Sequence, residues 1–189
     1  MSKGIDLDNV SYATFMYFDE EKFRYYKNIG QAMVPNPTGL KAIVEWPYGK
    51  VKELQMMFTE TVTIERIPNI LAFAYTTTED RTPKEFLAMK WHEVFRLYNH
   101  IYSEVGYIVD REKVLAYEPS ADEEEAGIDR FARFGTMGTI DTLAAGNVLL
   151  YDEIEAKPYR LIFAKLYLES EKTRYQKNML AIQRRRDPK

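Results

Sequence analysis

Side chains able to do chemistry are few in this chain. It has two histidines, His92 and His100, and no cysteine. Without cysteine there are no disulfides, thiolate nucleophiles or cysteine-bound zinc. His92 precedes Glu93, as in a zinc-protease helix, but that motif needs its second histidine four residues on, where this chain has Arg96. His92 and His100 stand about 12 Å apart along one helix, too far to ligate one ion at about 2 Å each. With Arg96 between them they read as a polar helix face. Asp152, Glu153 and Glu155 lie together, as do Glu123, Glu124 and Glu125. Acid–base catalysis needs two carboxyls in unlike surroundings across a cleft, and neighbours in one polar run are a solvated face. Gly135-Thr136-Met137-Gly138-Thr139 lacks the Gly-Lys-Ser/Thr of a phosphate loop and reads as a break between helices. Neither histidine accompanies a Gly-x-Ser-x-Gly elbow. The residues predict no catalytic, cofactor-binding or metal-ligating site, and a protein that is not an enzyme.

The clearest element lies in the middle of the chain. Thr82, Pro83 and Glu85 form a helix start, with proline at the first position and a glutamate three residues after the cap. Leu87, Trp91, Val94, Tyr98, Ile101 and Val105 follow at steps of three and four. The spacing predicts one helix over 83–105, stopped by Gly106. Shorter helices are expected at 20–29, after Asp19 and before Gly30, at 48–58, and around 139–146. Pro35-Asn36-Pro37-Thr38-Gly39 is a turn. Ile128, Phe131, Phe134 and Met137 are helically spaced. Ser120 starts either a helix through the acidic run or an exposed linker, and Asp152 caps a short turn before Pro158. In 40–75 periodicity does not choose. Thr61–Ile67 alternates and is β-branched, whereas Thr59 and Thr61 also suit helix caps, which leaves room for a small β element.

From Tyr159 one helix is expected to about Arg185. Its first half (Tyr159, Leu161, Ile162, Phe163, Leu166, Tyr167, Leu168) is apolar on nearly every side, which predicts burial all round. The second half is charged and keeps a narrow stripe, Tyr175, Met179 and Ile182, in steps of seven with Leu161 and Leu168. Net charge is -3, yet residues 172–189 hold seven bases against one acid. The helix dipole accounts for two or three cations at its end, and Arg184, Arg185 and Arg186 exceed that. Three readings follow for the basic end: a solvated terminus, a contact with an acidic protein surface such as Glu118–Glu125 of another copy, or a contact with nucleic-acid phosphates. The expected fold is mainly α. It comprises a single helical domain over 1–158 and a long helix over 159–189, whose first half packs on the domain and whose second half protrudes. No apolar run reaches the roughly 18 residues of a membrane span and no leader is visible, so the expectation is a cytoplasmic protein without a membrane partner.

Phe131-Ala132-Arg133-Phe134-Gly135-Thr136-Met137-Gly138-Thr139-Ile140-Asp141-Thr142-Leu143-Ala144-Ala145-Gly146-Asn147, then Asp152-Glu153-Ile154-Glu155-Ala156-Lys157-Pro158-Tyr159 and a long charged helix, resemble small accessory proteins of tailed bacteriophages associated with tail assembly. The likeness spans about residues 128–186. It implies a mainly helical, non-enzymatic structural or assembly protein, homo-oligomeric or bound to an assembly partner, in the host cytoplasm or the virion. On this reading Tyr175, Met179, Ile182, Arg184, Arg185 and Arg186 form the interaction surface and no cofactor is needed. Two rivals come from the residues themselves: a nucleic-acid-associated protein using 172–189, and a small enzyme with a pocket of tyrosines and carboxylates.

Overall fold

A computed structural model describes residues 10–16, 40–76 and 81–186, apart from the side chains of Phe15 and Arg184. The helix expected at 20–29, the turn at 35–39 and residues 187–189 lie outside the described residues. Among the described residues the fold is mainly α. Its helices are α1 (Tyr12–Phe15), α2 (Tyr48–Met57), α3 (Ile67–Tyr75), α4 (Pro83–Ala88), α5 (Trp91–Glu112), α6 (Ala121–Glu125), α7 (Thr136–Leu143), α8 (Tyr151–Ala156) and α9 (Tyr159–Arg186). Single 3₁₀ turns join several of them. The chain divides into two compact units: residues up to Ile43 with Val51–Tyr107, and Val44–Lys50 with Ile108 onward.

The small β element expected in 40–75 is not formed. Thr63 is extended, as the alternation of 61–67 suggests, but no described strand pairs with it. Pro68 sits in the first turn of α3, where proline costs no hydrogen bond, and Ile67, Ile70, Leu71 and Ala74 are buried at helical spacing. An alternating pattern supplies two faces; a sheet also needs a second backbone alongside.

In the first unit, the helix expected over 83–105 is two helices. The start is as read, with Glu85 Oε1 accepting from the Thr82 N–H at 3.2 Å. The break falls at Met89 and Lys90, where another stretch of backbone intrudes. The Tyr12 N–H donates to Met89 O at 2.8 Å and the Trp91 N–H donates to Val10 O at 3.2 Å. Beyond it α5 buries Trp91, Val94, Phe95, Leu97, Ile101 and Val105. The Tyr12 ring lies 5.7 Å from Phe95, and its hydroxyl donates to Ile64 O at 2.7 Å. Tyr75 and Phe86 bring α3 and α4 together with ring centres 5.5 Å apart.

Gly106 does not end α5, which continues to Glu112. The apolar stripe steps on to a fully buried Ile108, and that burial outweighs one glycine. A Cβ at Gly106 would meet nothing within 4 Å.

The second unit is organised around the start of α9. The Tyr48 N–H donates to Lys157 O at 2.8 Å, and the Tyr159 N–H donates to Trp46 O at 2.8 Å. These two bonds flank an antiparallel bridge between Pro47 and Pro158. Neither proline has an N–H to offer, so the pairing runs through their neighbours. Gly49 lets the first turn of α2 approach α8 closely, since a Cβ there would lie 3.2 Å from Glu155 Cβ. The Tyr48 and Tyr159 rings stack at 6.3 Å, and the Tyr159 hydroxyl donates to Glu112 Oε1 at 2.7 Å. Burial, then the Glu112 carboxylate, pushes the Tyr48 phenol up to about 12. Burial, then its bond to Glu112, raises Tyr159 as well.

Two outcomes follow. Gly106→Ala stabilises the protein by about 0.5–1 kcal/mol in denaturant unfolding, because the site is helical and open; a loss would mean that the helix is interrupted there. The folded-state phenol value of Tyr48 is raised, so its contribution to stability is complete below about pH 10, the ordinary phenol value, and is lost as pH rises through about 12; the Tyr159 phenol, also raised, acts in the same direction. Circular dichroism and tyrosinate absorbance followed together from pH 9 to 12.5 should show unfolding and ionisation in step for the wild type. Tyr159→Phe should weaken that coupling.

Candidate interaction surface

Helix α9 makes its contacts on one side. Tyr159, Ile162 and Phe163 are buried, and the Arg111 guanidinium lies over the Phe163 ring at 4.5 Å. Further along, segment 113–123 follows the same side of the helix. Arg174 Nη2 donates to Val114 O at 2.7 Å, and Arg174 Nη1 reaches Glu171 Oε1 at 2.6 Å. Lys177 sits over the Tyr117 ring at 4.3 Å and donates to its hydroxyl at 3.1 Å. Between segment and helix runs an open groove of about 510 Å³, lined by Tyr117, Glu118, Ser170, Thr173, Arg174 and Lys177 among others.

The segment is held by its own cap. Ser120 opens α6, and Glu123 Oε2 accepts from the Ser120 N–H at 2.8 Å and from its hydroxyl at 2.7 Å. Glu123 Oε1 accepts from the Tyr117 hydroxyl at 2.5 Å. The Ser120 N–H first, then the Tyr117 and Ser120 hydroxyls, lower the Glu123 carboxyl to about 2. Of the two alternatives for the acidic run, a short helix is the one formed.

The opposite side of α9 is open. Burial all round is not found for 159–168: Leu161 and Leu168 are 48% and 51% exposed. Tyr175 is 66%, Met179 38% and Ile182 42% exposed. At 3.6 residues per turn, Leu161, Leu168, Tyr175 and Ile182 share one face, roughly opposite Ser170, Thr173 and Lys177. One apolar seam therefore runs the length of the helix. Arg185 and Arg186 are exposed at its end. The side chain of Arg184 lies outside the described residues.

A second apolar surface escaped the sequence reading. Residues Ile128–Phe134 form a 3₁₀ helix, and Phe131, Phe134 and Met137 are 71%, 47% and 47% exposed. The signal was present in the spacing: 128, 131, 134 and 137 step by three, the period of a 3₁₀ rather than an α-helix. Leu149, at 85% exposed, adds to the open apolar surface of this unit. Among the described residues, Met56, Tyr102 and Tyr107 are the large exposed hydrophobics of the first unit, and all the others lie in the second.

The other residues singled out for chemistry remain apart. His92 packs edge-on against the Trp91 ring at 5.8 Å. Glu153 pairs with Lys157 at 2.8 Å on an exposed helix. Among the described residues no group of histidine and carboxylate side chains converges on a metal-sized site, and no helix is long and apolar enough to cross a membrane. Comparison with protein-family models, with curated proteins and with solved structures gives no match.

Tyr117→Phe should move the Glu123 titration up from about 2 towards the ordinary carboxylate range, followed through its carboxyl carbon by NMR. Because the folded-state value is lowered, the Glu123 contribution to stability is present above about pH 4.5 and fades as pH falls through about 2. A titration unaffected by the substitution removes the phenol from the set of groups holding this carboxylate.

Proposed function

We propose that this chain is a non-enzymatic structural or assembly-interaction protein, and that the C-terminal half of α9 is its docking element. The exposed seam carries this reading. Tyr175, Met179 and Ile182 stand on one helix face, open to solvent, beside exposed Arg185 and Arg186. A contiguous apolar stripe rimmed by charge is the ordinary anatomy of a protein contact. Fully burying three such side chains contributes several kcal/mol, at about 1.5–3 kcal/mol each, before the costs of association. That suits a contact reinforced by repetition. Together with the resemblance of residues 128–186 to accessory proteins of tailed bacteriophages, it favours a virion or tail-assembly component acting in the host cytoplasm or the particle.

The test uses the absence of native cysteine. Met179→Cys and Ile182→Cys carry a photo-crosslinker in cells that make the protein, with the exposed Lys84→Cys as control. The expected result is an adduct to one discrete protein from both seam positions and none from position 84. The triple substitution Tyr175→Ser/Met179→Ser/Ile182→Ser should leave dilute-solution stability within about 0.5 kcal/mol of wild type, as exposed positions do, while abolishing that contact. Adducts to DNA or RNA, with binding that weakens steeply as salt rises, would overturn the reading in favour of nucleic acid.

A further inference from the structure

We infer that segment 113–123 is a clasp, and that its closure and the helicity of the distal half of α9 depend on each other. Neither partner has a core of its own. Among the described residues none from 109 to 139 is buried, and none after Phe163. The open groove separates segment and helix, and exposed side chains hold them together across it. From Lys165 to Arg186, among the described residues, the polar and ring contacts of α9 with the rest of the chain are those of Arg174 with Val114 O and of Lys177 with Tyr117. The ion pairs of this stretch, Lys165 and Lys172 with Glu169 and Arg174 with Glu171, lie within the helix. Such pairs support a helix weakly, and a short helical stretch without tertiary packing is marginal in water.

Tyr117 is the node of the clasp. Its hydroxyl donates to Glu123 Oε1 at 2.5 Å and accepts from Lys177 at 3.1 Å, while its ring carries the Lys177 ammonium at 4.3 Å. One side chain thereby joins the cap of α6, the extended stretch before it and α9. Arg174 adds a second tie to the Val114 carbonyl, one turn earlier on the helix. Lys177 meets the ring only while the helix runs through position 177. With Tyr117 withdrawn, the distal helix keeps only its internal pairs. Elements held by exposed contacts lie at the low end of local stability, and contacts made only in the closed, helical state make the two openings one event. The bearing on docking rests on the role proposed for α9. Clasp and seam lie on opposite sides of one helix, so an occupant that needs a helical seam favours the closed clasp, and the closed clasp favours that occupant.

Amide hydrogen exchange of the full chain tests this. Wild-type exchange should be faster over 171–183 than over 159–166. Tyr117→Ala should speed exchange over 174–183 about threefold or more, the loss of one cation–ring contact. Lys177→Met keeps helix propensity and should speed exchange about threefold over 117–125, a segment to which it does not belong. Tyr175→Ala, on the open face of the same helix, should leave 117–125 unchanged. Exchange over 159–166 should stay as in the wild type throughout. The clasp is overturned by unchanged exchange over 117–125 in Lys177→Met, by wild-type protection over 171–183 equal to that over 159–166, or by a loss over 159–166 in Lys177→Met, which would make Lys177 a support of the whole unit. Adding Tyr117→Ala to the Met179→Cys crosslinking chain should lower the adduct yield about threefold; an unchanged yield overturns the link to docking. Coupled exchange without any adduct from Met179→Cys alone would mean that the docking role has failed and the clasp stands.

Discussion

Two backbone hydrogen bonds flanking a proline pair hold the start of α9, from Tyr48 N–H to Lys157 O and from Tyr159 N–H to Trp46 O. Much of the second unit follows from this clamp. It fixes the rotation of the helix about its axis, so that Tyr159, Ile162 and Phe163 turn inwards. The Tyr159 phenol is then placed to donate to Glu112, and Arg160 pairs with Glu45 at 2.8 Å. A helix held at its first turn keeps its phase for its whole length. The side that Tyr175 and Ile182 occupy some 25–35 Å further along is therefore set at residue 159.

The long helix needs that support. Its composition is only weakly amphipathic overall, because one end is rich in apolar residues and the other in charged ones. Segment 113–123 gives the charged end contacts of its own. It supplies a carbonyl for Arg174 and an aromatic ring for Lys177, and it is kept in shape by the Ser120–Glu123 cap. Exposed polar and cation–ring contacts of this kind contribute little singly. Their effect here is to settle which side of α9 the chain itself occupies. The apolar seam is what remains on the other.

How far the sequence could be read depends on how local the cause was. The start of α4 at Thr82 and Glu85 and the run of α9 from Tyr159 to Arg186 were legible, since caps, proline placement and spacing act within a turn or two. The break at Met89 and Lys90 was not, because it arises from backbone at Val10 and Tyr12, far away in sequence. Gly106 misled for a related reason. Glycine is a frequent helix stop, but the buried Ile108 beyond it outweighs that preference. For the interaction surface, Tyr175, Met179 and Ile182 were legible as a stripe. The exposed faces of Leu161 and Leu168 were hidden in a run that is apolar on all sides.

The sequence alone determined that the protein is mainly helical, where several of its caps lie, and that a seven-step apolar seam and a basic end share the last helix. These are properties of neighbouring residues and their angular positions, and they hold wherever the helix is placed. Only the tertiary structure decided which side of α9 is covered by its own chain and which stays open. Periodicity gives the angle between two side chains on a helix. Whether either one is buried depends on distant residues such as Trp46, Val114 and Tyr117 and where the fold delivers them.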